Sequence, residues 1–273
     1  MMLDAFTLVA GPCQLEGHDL NVEIATDLAR LSERLGVPVV FKASFDKANR
    51  SRLDSPRGPG LEAGLELLAK ISDETGLPIL TDIHENSQAV SAAQVADILQ
   101  IPAFLCRQTD LLTAAGATGK IVNVKKGQWM SPEDMRGAVD KARSAGASQV
   151  ALTERGSFFG YGDLVVDMRS FRRIQDACGV PVIFDGTHSV QRPGQSDGSS
   201  GGDPEFISAL VLAAVAAGCD GLFLEAHPNP EQAPSDGHNM LALKDLGPLM
   251  ERALAVRGAV ESAGGPASNP ATA

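Results

Sequence analysis

The chain has 273 residues, 44% of them apolar, and a formal net charge of −11 at pH 7. The negative charge argues against nucleic acid or an anionic membrane as the main partner. The first residues resemble no secretion signal, and no uncharged apolar stretch reaches the ~18 residues of a membrane span, so we expect a cytoplasmic protein without a membrane segment.

Short apolar runs alternate along the chain with amphipathic, helix-like stretches. The runs occupy residues 6–10, 37–43, 78–83, 98–103, 121–126, 149–154, 181–186 and 221–226. The clearest helical stretches between them are residues 21–35, 59–74 and 204–217. Eight strand–helix units predict a parallel sheet with helical crossovers, and eight is the number that closes a (β/α)8 TIM barrel. An open doubly wound sheet is the alternative.

Two segments fall outside this alternation. Residues 191–203 are rich in glycine and serine and predict a mobile loop after the seventh strand. Residues 263–273 consist of small residues and prolines and predict a disordered tail. We therefore expect one catalytic barrel domain over residues 1–262. The four cysteines form no CxxC pair, and we expect them to be reduced thiols.

Polar side chains occur at or just after the end of every predicted strand. In a barrel of this kind those ends form the active site, so the pattern predicts an enzyme. The cationic members of the set are Lys42, Lys47, Arg50, Lys125 and Arg155. Because these side chains bind phosphates and carboxylates, they predict substrates with two or more anionic groups. The alternative is that some of them form salt bridges with Asp82, Glu154 or Asp185.

A second set of polar residues could bind a metal ion. Its members follow the first, seventh and eighth strands and are Cys13, His188, Glu225 and Asp236. A thiolate, an imidazole and two carboxylates suit one divalent ion such as Zn, Fe(II) or Mn. The residues alone leave this open, because no local spacing motif supports it and a cysteine such as Cys13 is more often a buried apolar residue. His84 and His227 are equally good candidate ligands.

Eight motifs together resemble the 3-deoxy-D-manno-octulosonate 8-phosphate synthases, also called 2-dehydro-3-deoxyphosphooctonate aldolases. The motifs are AGPC (10–13), KASFDKANRSR (42–52), TDIHE (81–85), QIPAFLCRQTDLL (100–112), NVKKGQW (123–129), ERGSFFGYGDLVVDMR (154–169), DGTHSVQ (185–191) and EAHPNP (225–230). They follow the family's order from about residue 8 to 250. The resemblance implies a homotetrameric transferase of lipopolysaccharide sugar biosynthesis that condenses phosphoenolpyruvate with D-arabinose 5-phosphate.

The segment after the second strand separates this family from the sister heptulosonate 7-phosphate synthases, which use erythrose 4-phosphate. The sister enzymes have a KPRTS-like motif there, whereas this chain has KASFDKANRS. Asn49, Arg50 and Ser51 match positions that hold the pentose phosphate, which favours the five-carbon acceptor. The sister reaction remains the alternative. A synthase for an unphosphorylated acceptor and a catalytically inactive sugar-phosphate sensor are further alternatives.

The resemblance also implies roles for the other residues at the strand ends. Lys125 and Arg155 match residues that bind phosphoenolpyruvate. The catalytic set implied in this way is Lys42, Lys47, Asp82, Lys125 and His188, with Gln100 lining the same cavity. Asp82 is expected to orient the substrates.

The family has a metal-dependent class with cysteine at the position of Cys13 and a metal-independent class with asparagine there. The resemblance therefore implies that Cys13 completes a ligand set with His188, Glu225 and Asp236, and that His188 is a ligand rather than a general base. Two features depart from the family pattern. Gly186 replaces a larger residue, and His238 lies close enough to Asp236 in sequence to compete as a ligand.

Overall fold

A computed structural model of the chain describes residues 2–50, 53–159, 162–193 and 201–265. Its eight main strands are β1 (Thr7–Gly11), β2 (Val39–Lys42), β3 (Ile79–Asp82), β4 (Ile98–Ile101), β5 (Ile121–Lys125), β6 (Gln149–Glu154), β7 (Val182–Asp185) and β8 (Gly221–His227). Each pairs in parallel with the next, and β8 pairs with β1. This closure confirms the predicted (β/α)8 barrel and excludes the open sheet.

One α-helix follows each strand and packs outside the barrel. The helices are α1 (His18–Leu35), α2 (Leu61–Thr75), α3 (Gln88–Ala93), α4 (Thr109–Ala117), α5 (Arg136–Ala145), α6 (Ser170–Cys178), α7 (Ile207–Ala216) and α8 (Leu243–Ser262). The helices α1, α2, α5 and α6 end at a glycine in the left-handed region. Gly36, for example, has a φ of 63° and donates its N–H to the carbonyl of Ser32.

The interior of the barrel changes from apolar to polar along the strands. Its apolar layer contains Val9, Val40, Leu80, Ile98, Ala151, Ile183 and Phe223. Because strand side chains alternate between faces, the residue two positions further along each strand also points inside. On six of these strands that residue is polar: Lys42, Asp82, Gln100, Thr153, Asp185 and Glu225. The carboxyl end of the barrel is therefore a buried polar layer resting on an apolar one.

Two short antiparallel strand pairs follow β6 and β7. Ser157–Phe158 pairs with Leu164–Val165, and Gln191–Arg192 pairs with Gly201–Gly202. The second pair contains both ends of the predicted mobile loop, whose residues 194–200 lie outside the described residues. Most of the predicted tail, residues 266–273, also lies outside them, so the domain boundary after residue 262 stays a prediction.

No helix in the described ranges is both long and apolar enough to cross a membrane.

Candidate active site

A cavity of about 740 Å³ opens at the carboxyl end of the barrel. The predicted site residues that line it are Lys42, Lys47, Asn49, Arg50, Asp82, Gln100, Lys125, Arg155, His188 and Asp236. Ser51 lies outside the described residues. All five predicted cations thus lie around one cavity, as expected from their places at the ends of parallel strands.

Two of these cations form salt bridges, Lys125 with one of the carboxylates that the sequence left open as partners and Lys42 with a different one. The ammonium group of Lys42 donates to Glu225 Oε1 at 2.7 Å and to the carbonyl oxygen of Cys13 at 2.9 Å. Lys125 donates to Asp185, and its ammonium lies 3.6 Å from the ring centroid of Phe223. Both lysines are buried and are held in place by their carboxylate partners.

Glu154, another of the partners that the sequence left open, pairs with a lysine outside the cavity. Glu154 lies 3.6 Å from the buried ammonium of Lys126, which points away from the barrel interior as the alternation of strand side chains predicts. Lys126 also donates to Ser157 Oγ at 3.1 Å. The salt bridge of Glu154 is therefore formed with Lys126 and not with one of the five cavity cations.

Burial and carboxylates act in opposite directions on the pKa values of Lys42 and Lys125. Burial lowers the pKa of Lys125, and Asp185 only partly offsets this, so its pKa lies below the usual value. Burial also lowers the pKa of Lys42, but Glu225 and Asp82 outweigh it and raise the pKa above the usual value. Lys42 is accordingly a fixed cation, whereas the charge of Lys125 depends on Asp185.

The four predicted metal ligands form one cluster at the edge of the cavity. The potential ligand atoms of Cys13, His188, Glu225 and Asp236 all lie within 4.8 Å of one another. Cys13 Sγ lies 3.0 Å from Asp236 Oδ2, and His188 Nε2 lies 3.5 Å from Glu225 Oε2. These residues are far apart in sequence, and closure of the barrel brings them together.

The surroundings of the cluster suit a cation. His188 Nδ1 lies 2.8 Å from Asp185 Oδ2, an arrangement that leaves Nε2 free to face the other ligands. Burial and the charge of Glu225 raise the pKa of the Cys13 thiol far above its usual value. A divalent ion would supply the positive charge that a thiolate needs here. The donor set therefore fits a borderline divalent metal.

The other histidines lie outside this cluster. His227 Nε2 lies 3.1 Å from Glu16 Oε1, while His84 and His238 line the cavity. The glycine at position 186 has a packing reason: a β-carbon there would lie 2.7 Å from Val211 Cγ2. Neither departure from the family pattern disturbs the four-residue cluster.

Two neutral side chains form hydrogen bonds that link charged residues of the cavity. Neither of them was identified as a site residue from the sequence. Ser235 Oγ accepts from Arg50 Nη1 at 2.8 Å and lies 3.3 Å from Cys13 Sγ. Gln191 accepts from Arg155 and donates to Asp236 Oδ1 at 3.0 Å. Ser235 lies in the segment after β8 and Gln191 in the short strand pair after β7, and nothing in their spacing distinguishes them from other polar residues there.

Comparisons with known proteins agree with one another. The model of the DAHP synthetase I family matches residues 3–256. A 2-dehydro-3-deoxyphosphooctonate aldolase from Synechococcus sp. is 55% identical over 254 residues, which are 93% of this chain and 89% of the relative. Proteins of the same name from Desulfosudis oleivorans and Rhodopseudomonas palustris are 51% and 54% identical, over 94% and 90% of this chain and 92% and 85% of their own lengths.

Proposed function

The chain belongs to the DAHP synthetase I family, and from that premise we propose that it is a 2-dehydro-3-deoxyphosphooctonate aldolase like its relatives. It condenses phosphoenolpyruvate with D-arabinose 5-phosphate and water to 3-deoxy-D-manno-octulosonate 8-phosphate and inorganic phosphate, a step in lipopolysaccharide sugar biosynthesis. The observation that carries this proposal is the cavity in which five cations meet a cluster of four metal-ligand side chains.

The cations match the charges of the two substrates. Together these bring two phosphates and one carboxylate, which repel one another as they approach. Lys125 and Arg155 bind phosphoenolpyruvate, and Asn49 and Arg50, with Ser51, bind the pentose phosphate. Holding both reactants in contact can supply roughly 7–11 kcal/mol of the barrier. The site therefore acts mainly by neutralising and positioning its reactants.

The bond-forming steps depend on holding the two substrates and a water molecule together. The enol carbon of phosphoenolpyruvate forms the new bond to the aldehyde carbon, whose C=O π bond opens to an alkoxide. Water adds to the adjacent carbon and gives up a proton that balances the alkoxide, and the resulting hemiketal phosphate loses inorganic phosphate. Lys42 stays protonated beside Glu225 and contributes a fixed positive charge with Lys47 nearby. Asp82 and Gln100 line the same space and orient the reactants.

We propose that Cys13, His188, Glu225 and Asp236 hold one divalent ion, Zn, Fe(II) or Mn. When bound there, the ion supplies Lewis-acid chemistry next to the acceptor site. The support is the convergence of four suitable donors and the contact of His188 Nδ1 with Asp185. We also propose that the enzyme works in the cytoplasm as a homotetramer.

The choice of acceptor is tested by assaying both aldose phosphates with phosphoenolpyruvate. We expect kcat/KM for arabinose 5-phosphate to exceed that for erythrose 4-phosphate by at least about tenfold, since contacts to a phosphate placed by a five-carbon chain are lost with the shorter sugar. Phosphate release and product mass are the measurements. Preference for the four-carbon sugar would assign the sister reaction instead, which the names of the relatives do not favour.

A further inference from the structure

Four side chains on neighbouring strands form a row of hydrogen bonds across the barrel. Thr153 Oγ1 donates to Asn123 Oδ1 at 2.8 Å, and Asn123 Nδ2 donates to Gln100 Oε1 at 2.9 Å. Gln100 Nε2 then donates to Asp82 Oδ1. The row runs from β6 through β5 and β4 to β3, and it ends where Ser44 donates to Asp82 Oδ2. We call these residues, Thr153, Asn123, Gln100 and Asp82, the polar row.

The two ends of the polar row differ in their access to the cavity. Asp82 and Gln100 line it. Asn123 and Thr153 are fully buried, with 0% of their surface exposed, and lie one and two strands further round the barrel. Thr153 therefore influences substrates only through the residues that it holds.

The carboxylate of Asp82 sets the direction of every bond in the row. An ionised carboxylate only accepts, so the amide nitrogen of Gln100 must face it. The carbonyl oxygen of Gln100 then faces Asn123 and requires the amide nitrogen of that residue. The carbonyl oxygen of Asn123 faces Thr153, whose hydroxyl must donate. Each amide has one permitted orientation because its neighbour has one.

Asp82 is charged in this setting. Burial raises its pKa, but the positive charges of Lys42 and Lys47, with His84 and the hydrogen bond from Ser44, lower it well below the usual value. The carboxylate is thus a permanent acceptor at the cavity wall, and the row is anchored at that end.

We propose that Thr153 is a positioning residue for the reaction: its hydroxyl, acting through Asn123, fixes the amide of Gln100 against Asp82 at the cavity wall. Without the hydroxyl, the oxygen of Asn123 faces an apolar group and loses its only donor in the row. The amide of Asn123 then shifts to find another donor for this oxygen, and its hydrogen bond to Gln100 is lengthened or lost. Gln100 is then held by Asp82 alone, and its amide is no longer fixed at the cavity wall.

The test compares Thr153→Val, which keeps the shape and removes the donor, with Thr153→Ser, which keeps the donor. Thr7→Val is the matched control, because it removes a buried hydroxyl bond at the opposite end of the barrel, where Thr7 Oγ1 donates to the carbonyl of Ala5 at 2.9 Å. Because the effect on turnover rests on the proposed function, the reaction is assayed with phosphoenolpyruvate and arabinose 5-phosphate. We expect Thr153→Val to lower kcat/KM at least tenfold, and Thr153→Ser and Thr7→Val to stay within twofold of the unmodified enzyme.

Equal activity of Thr153→Val and Thr153→Ser would overturn the positioning role. If the unmodified chain fails to condense these substrates, the proposed function fails, and a crystal structure of Thr153→Val then decides the inference separately. We expect the contact between Gln100 and Asp82 to be broken or bridged by water in that variant, and an unchanged contact would overturn the proposal. If Thr153→Val does not fold, Thr153→Ala takes its place in both measurements.

Discussion

At the residue scale, Cys13 shows how environment decides what a side chain does. Its sulfur is buried, lies 3.0 Å from one Asp236 oxygen and 3.3 Å from the hydroxyl of Ser235. A buried free thiol usually packs among apolar atoms. Cys106, Cys178 and Cys219 do so, because they belong to the hydrophobic core. Cys13 instead faces oxygen atoms of Asp236 and Ser235, and these contacts make it the best candidate for a thiolate ligand.

Replacing this cysteine tests the metal proposal directly. We expect Cys13→Asn to lower the metal content of the purified protein from about one ion per chain to a small fraction, because one of four ligands is lost. Its kcat should fall as well, unless asparagine, the residue of the metal-independent class at this position, lets the enzyme work without the ion. Metal analysis before and after dialysis against a chelator is the measurement. Chelation should likewise abolish the activity of the unmodified enzyme, and added Mn or Zn should restore it.

Cys178→Ala is the control, since that thiol lies on α6 outside the cluster. It should keep both the metal and the activity. A Cys13→Asn protein with an unchanged metal content, or an unmodified enzyme that chelation leaves fully active, would contradict the four-ligand site.

At the scale of elements, β1 and β2 approach each other closely just before the site. A β-carbon on Gly11 would lie 2.2 Å from the carbonyl oxygen of Lys42. The strands pair through Ala10 and Phe41, and Gly11 pairs on its other side with Glu225. The missing side chain of Gly11 therefore lets β1 lie between the strands that carry Lys42 and Glu225, two charged residues of the site.

The close approach of β1 and β2 predicts that a side chain at position 11 destabilises the fold. We expect Gly11→Ala to lower the free energy of unfolding by about 1–3 kcal/mol, because the added methyl group must push backbone atoms apart. Gly137→Ala in α5 is the matched control. Its β-carbon would meet no heavy atom within 4 Å, and it should raise stability by roughly 0.4–1 kcal/mol by restricting the unfolded chain.

Urea denaturation of both variants is the measurement. A Gly11→Ala protein that unfolds at the same urea concentration as the unmodified chain would show that the strands can separate at little cost.

At the scale of the whole molecule, the barrel serves as a frame that gathers charge from distant parts of the chain. Cys13 and Asp236 are 223 positions apart in sequence, and Lys42 and Glu225 are 183 apart. Closure between β8 and β1 is what brings each pair together. The chain carries a net negative charge although five cations meet in the cavity, because the barrel gathers these side chains at the strand ends.

The proposed assembly is also tested at this scale. We expect light scattering on the purified protein to give a mass of four times the chain mass of 28.5 kDa, since the family resemblance implies a homotetramer. The mass should persist on dilution to the concentrations used for kinetic assays. A mass of one or two chains under those conditions would contradict the proposal.

The sequence by itself determined the barrel. Apolar runs as long as a strand and glycines at helix ends are local patterns, so they can be recognised without knowing any tertiary contact. It also placed polar residues at the strand ends, and the motif resemblance assigned roles to them. Only the tertiary structure decided which cations are paired. Lys42 and Lys125 bind Glu225 and Asp185, whereas Glu154 pairs with Lys126 outside the cavity.

The tertiary structure likewise decided which candidate ligands meet. Taken alone, the residues left Cys13, His84 and His227 open, and the structure places Cys13 in the four-residue cluster and His227 beside Glu16. The polar row behind Asp82 was not visible in the sequence either. In the sequence Thr153 and Asn123 resemble any other polar strand residues. The register of β3 to β6 is what aligns them with Gln100 and Asp82. The physical reason is the same in each case: these contacts join different strands, and only closure and register of the sheet set which side chains become neighbours.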